Sequence, residues 1–255
     1  ARPLWLLDQI VIWKKKRKVT RFRDELIALI RRCFRAGGRV FAVGAGTSHH
    51  ATLVGATLFN SIAKLSIVPV NPGGFRSMYL DSLTEHDLII GVTQSGETKD
   101  LLDIYNDVRR MYGDGIGLVT LVNNELSTIP QEKSDFFLPI LCGPEVAVAA
   151  TKSFISQVAL FHLLACMEVM PSHQVREQIG RIRTVIDFTL RAVEEDTTEV
   201  ALKFFMRPSM HILGTSLIGI AKEGALKVRE VVLNHTEGYD SAEFKHGPNT
   251  ILGKN

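Results

Sequence analysis

Apolar positions follow two periods along this chain. From Phe22 to Ala36 they recur at Phe22, Leu26, Leu29, Ile30, Cys33 and Phe34, the spacing of one helical face, and Gly37-Gly38 supplies a stop. Arg39 to Val43 is then a short β-branched and aromatic run ending at Gly44, and Ser48 to Lys64 returns to helical spacing through Leu53, Ala56, Leu58 and Ile62. The alternation continues with strands over Ser66 to Val70, Leu88 to Thr93 and Gly117 to Val122, and a helix over Asp100 to Met111. Phe136 to Leu141 predicts an edge strand and Thr151 to Met167 a long helix. Unbroken runs such as Leu88-Ile89-Ile90-Gly91-Val92 suit strands buried on both faces, so the expected class is a doubly wound, flavodoxin-like parallel α/β sheet with flanking helices.

After Pro171 the composition turns charged and helical from Gln174 to Glu195, as in a connector between two units. His211-Ile212-Leu213-Gly214-Thr215-Ser216, followed by a helical pattern from Ile218 to Leu233, repeats the earlier strand, glycine turn and helix around Gly44 to Ser48. The expected division is an apolar and basic segment over 1–21, a first unit over 22–171, a connector over 172–207 and the start of a second, incomplete unit over 208–255. About 45 residues follow the start of that second copy, fewer than the several βα repeats needed to cover a sheet.

Composition narrows the function classes. The 255 residues are 45% hydrophobic and 22% charged, and 30 Lys+Arg against 27 Asp+Glu leave +3, too little to argue for nucleic acid as the main partner. Cys33, Cys142 and Cys166 lie far apart without metal-ligand or disulfide spacing, which fits a reduced, cytoplasmic setting. The apolar stretch from Phe154 to Met170 contains Gln157, His162 and Glu168, so it reads as a buried helix instead of a membrane span. Lys14 to Lys18 follow the apolar Leu4 to Trp13 segment, the reverse of a signal peptide. A solvated linker is the expectation there, an anionic surface or acidic partner the alternative.

Two loops carry the candidate chemistry. Gly44-Ala45-Gly46-Thr47-Ser48 joins a strand to a helix, where glycines allow a tight turn, the helix start offers N–H groups, and Thr47 and Ser48 add hydroxyls; all favour a phosphate. A dinucleotide site is disfavoured by His49 at the third glycine position and by Asn71 where a ribose-binding acid belongs. Thr93-Gln94-Ser95-Gly96-Glu97-Thr98 repeats the placement after the next apolar strand. The plainer alternative is that Thr47, Ser48, Ser95 or Thr98 merely cap helices. No P-loop is present, so the phosphate is a handle and not the reacting group.

Acid–base candidates come later in the chain. Lys227 and Glu230 stand three apart on one helical face, either as a proton-moving pair or as an ordinary helix salt bridge. His246 precedes a Gly247-Pro248 turn and suits proton transfer near neutrality, although a lone histidine is more often structural.

Five segments in order resemble the glucosamine-6-phosphate synthase family, in its isomerase half of two tandem sugar isomerase (SIS) domains. They are Gly46-Thr47-Ser48, Gln94-Ser95-Gly96-Glu97-Thr98, Val148-Ala149-Ala150-Thr151-Lys152, Glu223-Gly224-Ala225-Leu226-Lys227 and Lys245-His246-Gly247-Pro248. The resemblance implies that Thr47, Ser48, Gln94, Ser95 and Thr98 hold a sugar phosphate, with Val148 near the sugar. It implies that Glu230 moves a proton between C1 and C2 of a hexose 6-phosphate, that Lys227 supports the enediol, and that His246, from a neighbouring subunit of a homodimer, assists ring opening. No metal or organic cofactor is required by that chemistry. This chain departs from the family pattern at Ala45 and Ala150, where a cysteine and a serine are usual. The family's Schiff-base lysine and glutaminase domain have no counterpart in these 255 residues. A stand-alone SIS deaminase or deglycase, or a sensor without catalysis, are the alternatives.

Overall fold

The computed structural model describes residues 17–204 and 207–252. The Leu4 to Trp13 stretch and the cations up to Lys16 lie outside them. The first helix, α1 (Arg17–Arg35), starts five residues ahead of the periodic run that predicted it, at the end of the basic cluster. The described chain forms two compact units, the first ending at Val169 and the second beginning at Met170.

In the first unit five strands, β1 (Val40–Gly44), β2 (Ile67–Val70), β3 (Leu88–Thr93), β4 (Gly117–Val122) and β5 (Phe136–Pro139), form one sheet in the order β2-β1-β3-β4-β5, every pair parallel. Helices α2 (Thr47–Leu58), α3 (Pro72–Met78), α4 (Lys99–Tyr112) and α5 (Lys152–Val169) cover it. The chain moves from β1 to β2 on one side and then to β3 on the other, so the order reverses between β1 and β3, as in flavodoxin-like sheets. β1 and β3 are buried at every position, as their unbroken apolar runs predict. Each edge strand is four residues long and contains a proline, Pro69 in β2 and Pro139 in β5, the positions where a missing N–H is tolerated.

One core packs Phe41, Val43 and Ile89 of the sheet against Phe75 of α3 and Leu101, Ile104, Tyr105 and Val108 of α4. Each such fully buried side chain contributes about 1.5–3 kcal/mol. A second cluster joins Ala51 and Val54 of α2 to Phe154 of α5. Contact there is so close that a Cβ on Gly55 would stand 2.5 Å from the Phe161 ring. α5 is thus a core helix, although its length and composition alone would let it cross a membrane. At the amino end of the sheet the buried Asp87 carboxylate accepts from the backbone N–H groups of Arg39 (2.6 Å) and Thr84 (2.9 Å) and from the Arg39 guanidinium (2.8 Å). Burial pushes Asp87 up, but these donors outweigh it and hold its carboxyl below the usual value.

The second unit contains α6 (Ser172–Phe204), a 33-residue helix that extends nine residues beyond the predicted connector pattern, then β6 (Ser209–Leu213), α7 (Ile218–Val232) and β7 (His235–Tyr239). β6 and β7 pair in parallel. β7 escaped sequence reading because His235-Thr236-Glu237-Gly238-Tyr239 has no apolar run; α7 packs directly on it where a Cβ on Gly238 would meet Lys222 Cα at 2.6 Å. The repeat of strand, turn and helix is real, but its matching letters are out of register. Gly44 and Gly214 are the glycines whose Cβ would strike the start of the following helix, and the left-handed residues two positions on are Gly46 and Ser216. The two Gly-Thr-Ser triplets are therefore offset by two residues.

Candidate functional site

β1 and β3 run side by side, with Gly44 opposite Val92, so the loops that follow them leave the same end of the sheet. That end, at the point where strand order reverses, is where open α/β sheets take ligands. Two glycines allow the loops their shape. A Cβ on Gly44 would lie 2.8 Å from the Ser48 carbonyl carbon, and Gly96, at φ +70°, would place one 1.8 Å from Ser127 Oγ.

Helix capping distinguishes the two helices that follow β1 and β3 from α3 and α5. α3 is capped by Asn71, whose Oδ1 accepts from Gly74 N at 2.8 Å. α5 begins on the Glu145 carboxylate, whose Oε1 accepts from the N–H groups of Thr151 (2.9 Å) and Lys152 (2.7 Å) and whose Oε2 takes the Ser153 hydroxyl at 2.5 Å. Burial opposes the charge on Glu145, but the Ser153 hydroxyl and the backbone donors prevail and keep its carboxyl low. α2 and α4, which follow β1 and β3, take no side-chain cap. Gly46 stands at the cap position of α2 at φ 53°, and Thr98 stands at that of α4 with its hydroxyl turned to Thr93 Oγ1, 2.8 Å away. The plain capping role open to Thr98 in the sequence is thereby excluded. Ser95 does not cap α4 either: its Oγ accepts from Glu97 N at 3.1 Å within the turn.

Hydrogen bonds tie the surrounding loops together. Gln94 O accepts from Asn124 N (3.2 Å), and the side chain of Asn123 spans Cys142 N and Gly143 O. Glu97 accepts from both N–H and hydroxyl of Thr128, at 2.7 and 2.9 Å. Ser48, 8% exposed, accepts from Gln157 Nε2 of α5 at 3.0 Å. Val148, between Glu145 and the start of α5, is 85% exposed. Sequence reading missed Asn123, Asn124, Glu145 and Gln157. Only Gln157 left a trace, as an amide inside an otherwise apolar helix.

The second unit holds the acid–base candidates. On α7 the Lys227 ammonium stands 2.6 Å from Glu230 Oε2 and 3.2 Å from Glu223 Oε1, with Glu223 buried and the other two largely so. His246 is exposed, closing a turn through its backbone N–H to Glu243 O. Thr215 and Ser216 precede the helix start by two residues or more, whereas Thr47 and Ser48 lie in the first turn of theirs, so the second copy does not repeat the hydroxyl arrangement of the first. Among the described residues no group of three or more His, Cys, Asp or Glu is placed to hold a metal ion.

Comparison with known proteins identifies the fold and the family. The SIS domain matches residues 34–167. The chain is 33% identical over 219 residues to glutamine–fructose-6-phosphate aminotransferase [isomerizing] of Aquifex aeolicus and 36% identical over 225 residues to that of Pyrobaculum aerophilum, in both cases over 85% of this chain and 36% of the relative. It thus spans about a third of the length of these relatives. The C-terminal domain of glucosamine-fructose-6-phosphate aminotransferase from Francisella tularensis superimposes with a TM-score of 0.76 at 26% identity, covering 91% of this chain and 65% of that one. Glucosamine-6-phosphate deaminase from Thermotoga maritima shares the fold, with a TM-score of 0.67 at 22% identity, over 92% of this chain and 72% of that one.

Proposed function

The chain belongs to the SIS domain family, and from that membership we propose that it is the sugar-phosphate isomerase module of a glutamine–fructose-6-phosphate aminotransferase. On this reading residues 22–171 are the first SIS domain, 172–207 the connector and 208–255 the opening of a second. The observation that carries the phosphate assignment is the pair of helices, α2 and α4, that begin without a side-chain cap at the strand-order reversal. Their first-turn N–H groups and partial positive charge favour a dianion. Thr47, Ser48, Gln94, Ser95 and Thr98 supply hydroxyl and amide donors around it, while Thr93 holds the Thr98 hydroxyl.

The phosphate of fructose 6-phosphate or glucosamine 6-phosphate serves as the handle that positions the reacting carbons. Val148 borders the sugar. The Glu230 carboxylate takes the proton from C1 of the ketose, an enediol forms, and Glu230, its proton open to exchange with solvent at that stage, delivers a proton to C2 to give the aldose. Lys227, already ion-paired to Glu230, offers its ammonium to the oxygen that gains charge in that step. His246 moves a proton to the ring oxygen as the sugar opens, contributed by the second copy in a homodimer. The reaction is placed in the cytoplasm.

Incubation with fructose 6-phosphate or glucosamine 6-phosphate in deuterated water tests the proposal. Exchange of the hydrogen next to the carbonyl, lost in Glu230→Gln, is the expected result. Binding of both sugars with no exchange in a chain that includes the family's lysine loop would reject the catalytic assignment in favour of a sensor.

A further inference from the structure

A serine hydroxyl has one proton to give, and what Ser48 does with it depends on its neighbour. Gln157 lies on α5, 109 positions later, and is fully buried. Its Nε2 donates to Ser48 Oγ at 3.0 Å, while its Oε1 has no hydrogen-bond partner within the described structure. A buried acceptor left unpaired is unfavourable, and the flanking Phe154, Leu160 and Phe161 show that an apolar side chain would suit this stretch of helix. Packing therefore does not account for an amide at this position; its one hydrogen bond does.

We propose that Gln157 is a positioning residue for the phosphate site, acting through Ser48. This inference rests on the phosphate-site reading above. By donating into Ser48 Oγ, the amide occupies the acceptor side of the hydroxyl and leaves the Ser48 proton to point at the ligand. Turned the other way, the amide oxygen would take that proton, and Ser48 would face a phosphate with lone pairs only. A phosphate dianion accepts hydrogen bonds and gives none, so a bound phosphate selects the orientation in which Gln157 donates. The contact also ties the first turn of α2 to α5, which fixes the oxygen's place as well as its proton.

The test is a double-mutant cycle in the full chain, with fructose 6-phosphate binding read by calorimetry and folding by thermal unfolding. Gln157→Met keeps the side-chain volume and removes the donor; Gln157→Leu replaces it should the Met variant fail to fold. The expected result is a Kd raised about tenfold by Ser48→Ala and about three- to tenfold by Gln157→Met, as for loss of a hydrogen bond to a charged group. With Ser48 already Ala, Gln157→Met should change Kd by less than about twofold. Equal weakening with and without the Ser48 hydroxyl would reduce Gln157 to a packing residue and overturn the inference, as would no weakening at all. Should Ser48→Ala itself leave Kd unchanged, the phosphate-site reading falls, and this inference with it.

Discussion

Lys227 Nζ and Glu230 Oε2 stand 2.6 Å apart on one face of α7, and Glu223 holds the same ammonium from the other side at 3.2 Å. Removing the charge of Glu230 therefore leaves Lys227 with a carboxylate partner, so the pair can be tested without undoing the helix. Glu230→Gln should lower the rate of hydrogen exchange at the sugar carbon by about 10²–10⁴-fold with little change in Kd. NMR of the substrate in deuterated water reads the rate, and calorimetry the affinity.

Thr98→Val removes the hydroxyl that faces Thr93 and leaves the backbone turn intact. We expect fructose 6-phosphate to bind about tenfold more weakly, with the rate at saturation within about threefold of the original. An equal fall in rate at saturation would show that Thr98 serves the chemistry as well as the phosphate.

Gly44→Ala places a methyl group 2.8 Å from the Ser48 carbonyl carbon, a backbone atom that cannot step aside. The substitution should cost about 1–3 kcal/mol in urea unfolding and weaken sugar-phosphate binding as well, because α2 must shift to admit it. Unchanged stability would mean that the turn is looser than described.

Asp87 gives a pH dependence whose sign follows from its depressed carboxyl. Its contribution to stability is fully present above the ordinary aspartate value, about 3.9, and is lost as pH falls through the lower value of the folded state. Asp87→Asn should cost about 2–4 kcal/mol at pH 7 by leaving Arg39 and two backbone N–H groups short of an acceptor. The deficit should shrink toward pH 3, as measured by urea unfolding across that range.

The central sheet was legible because β1 and β3 are apolar runs between glycine or polar turns and β4 is interrupted only by the buried Thr120, and a run of that kind has one comfortable place, between two layers of helix. β7 was not, since its polar residues are fixed by pairing with β6 and by the close approach of α7 at Gly238, neither of which is local. The loop residues of the site were nameable from type and position. Whether Thr98 caps its own helix or turns to Thr93 is decided by geometry alone. The Ser48–Gln157 contact joins residues 109 positions apart, and in the sequence it left only an amide out of place.

The prolines of β2 and β5 set a limit on how this unit can associate. Growth of a sheet by adding a neighbour's strand needs a long, regular rim of donors and acceptors, and each rim here is four residues with one donor missing. Copies of this unit are thus turned away from strand-by-strand stacking into fibres, and any stable pairing is directed to its helical faces and loops.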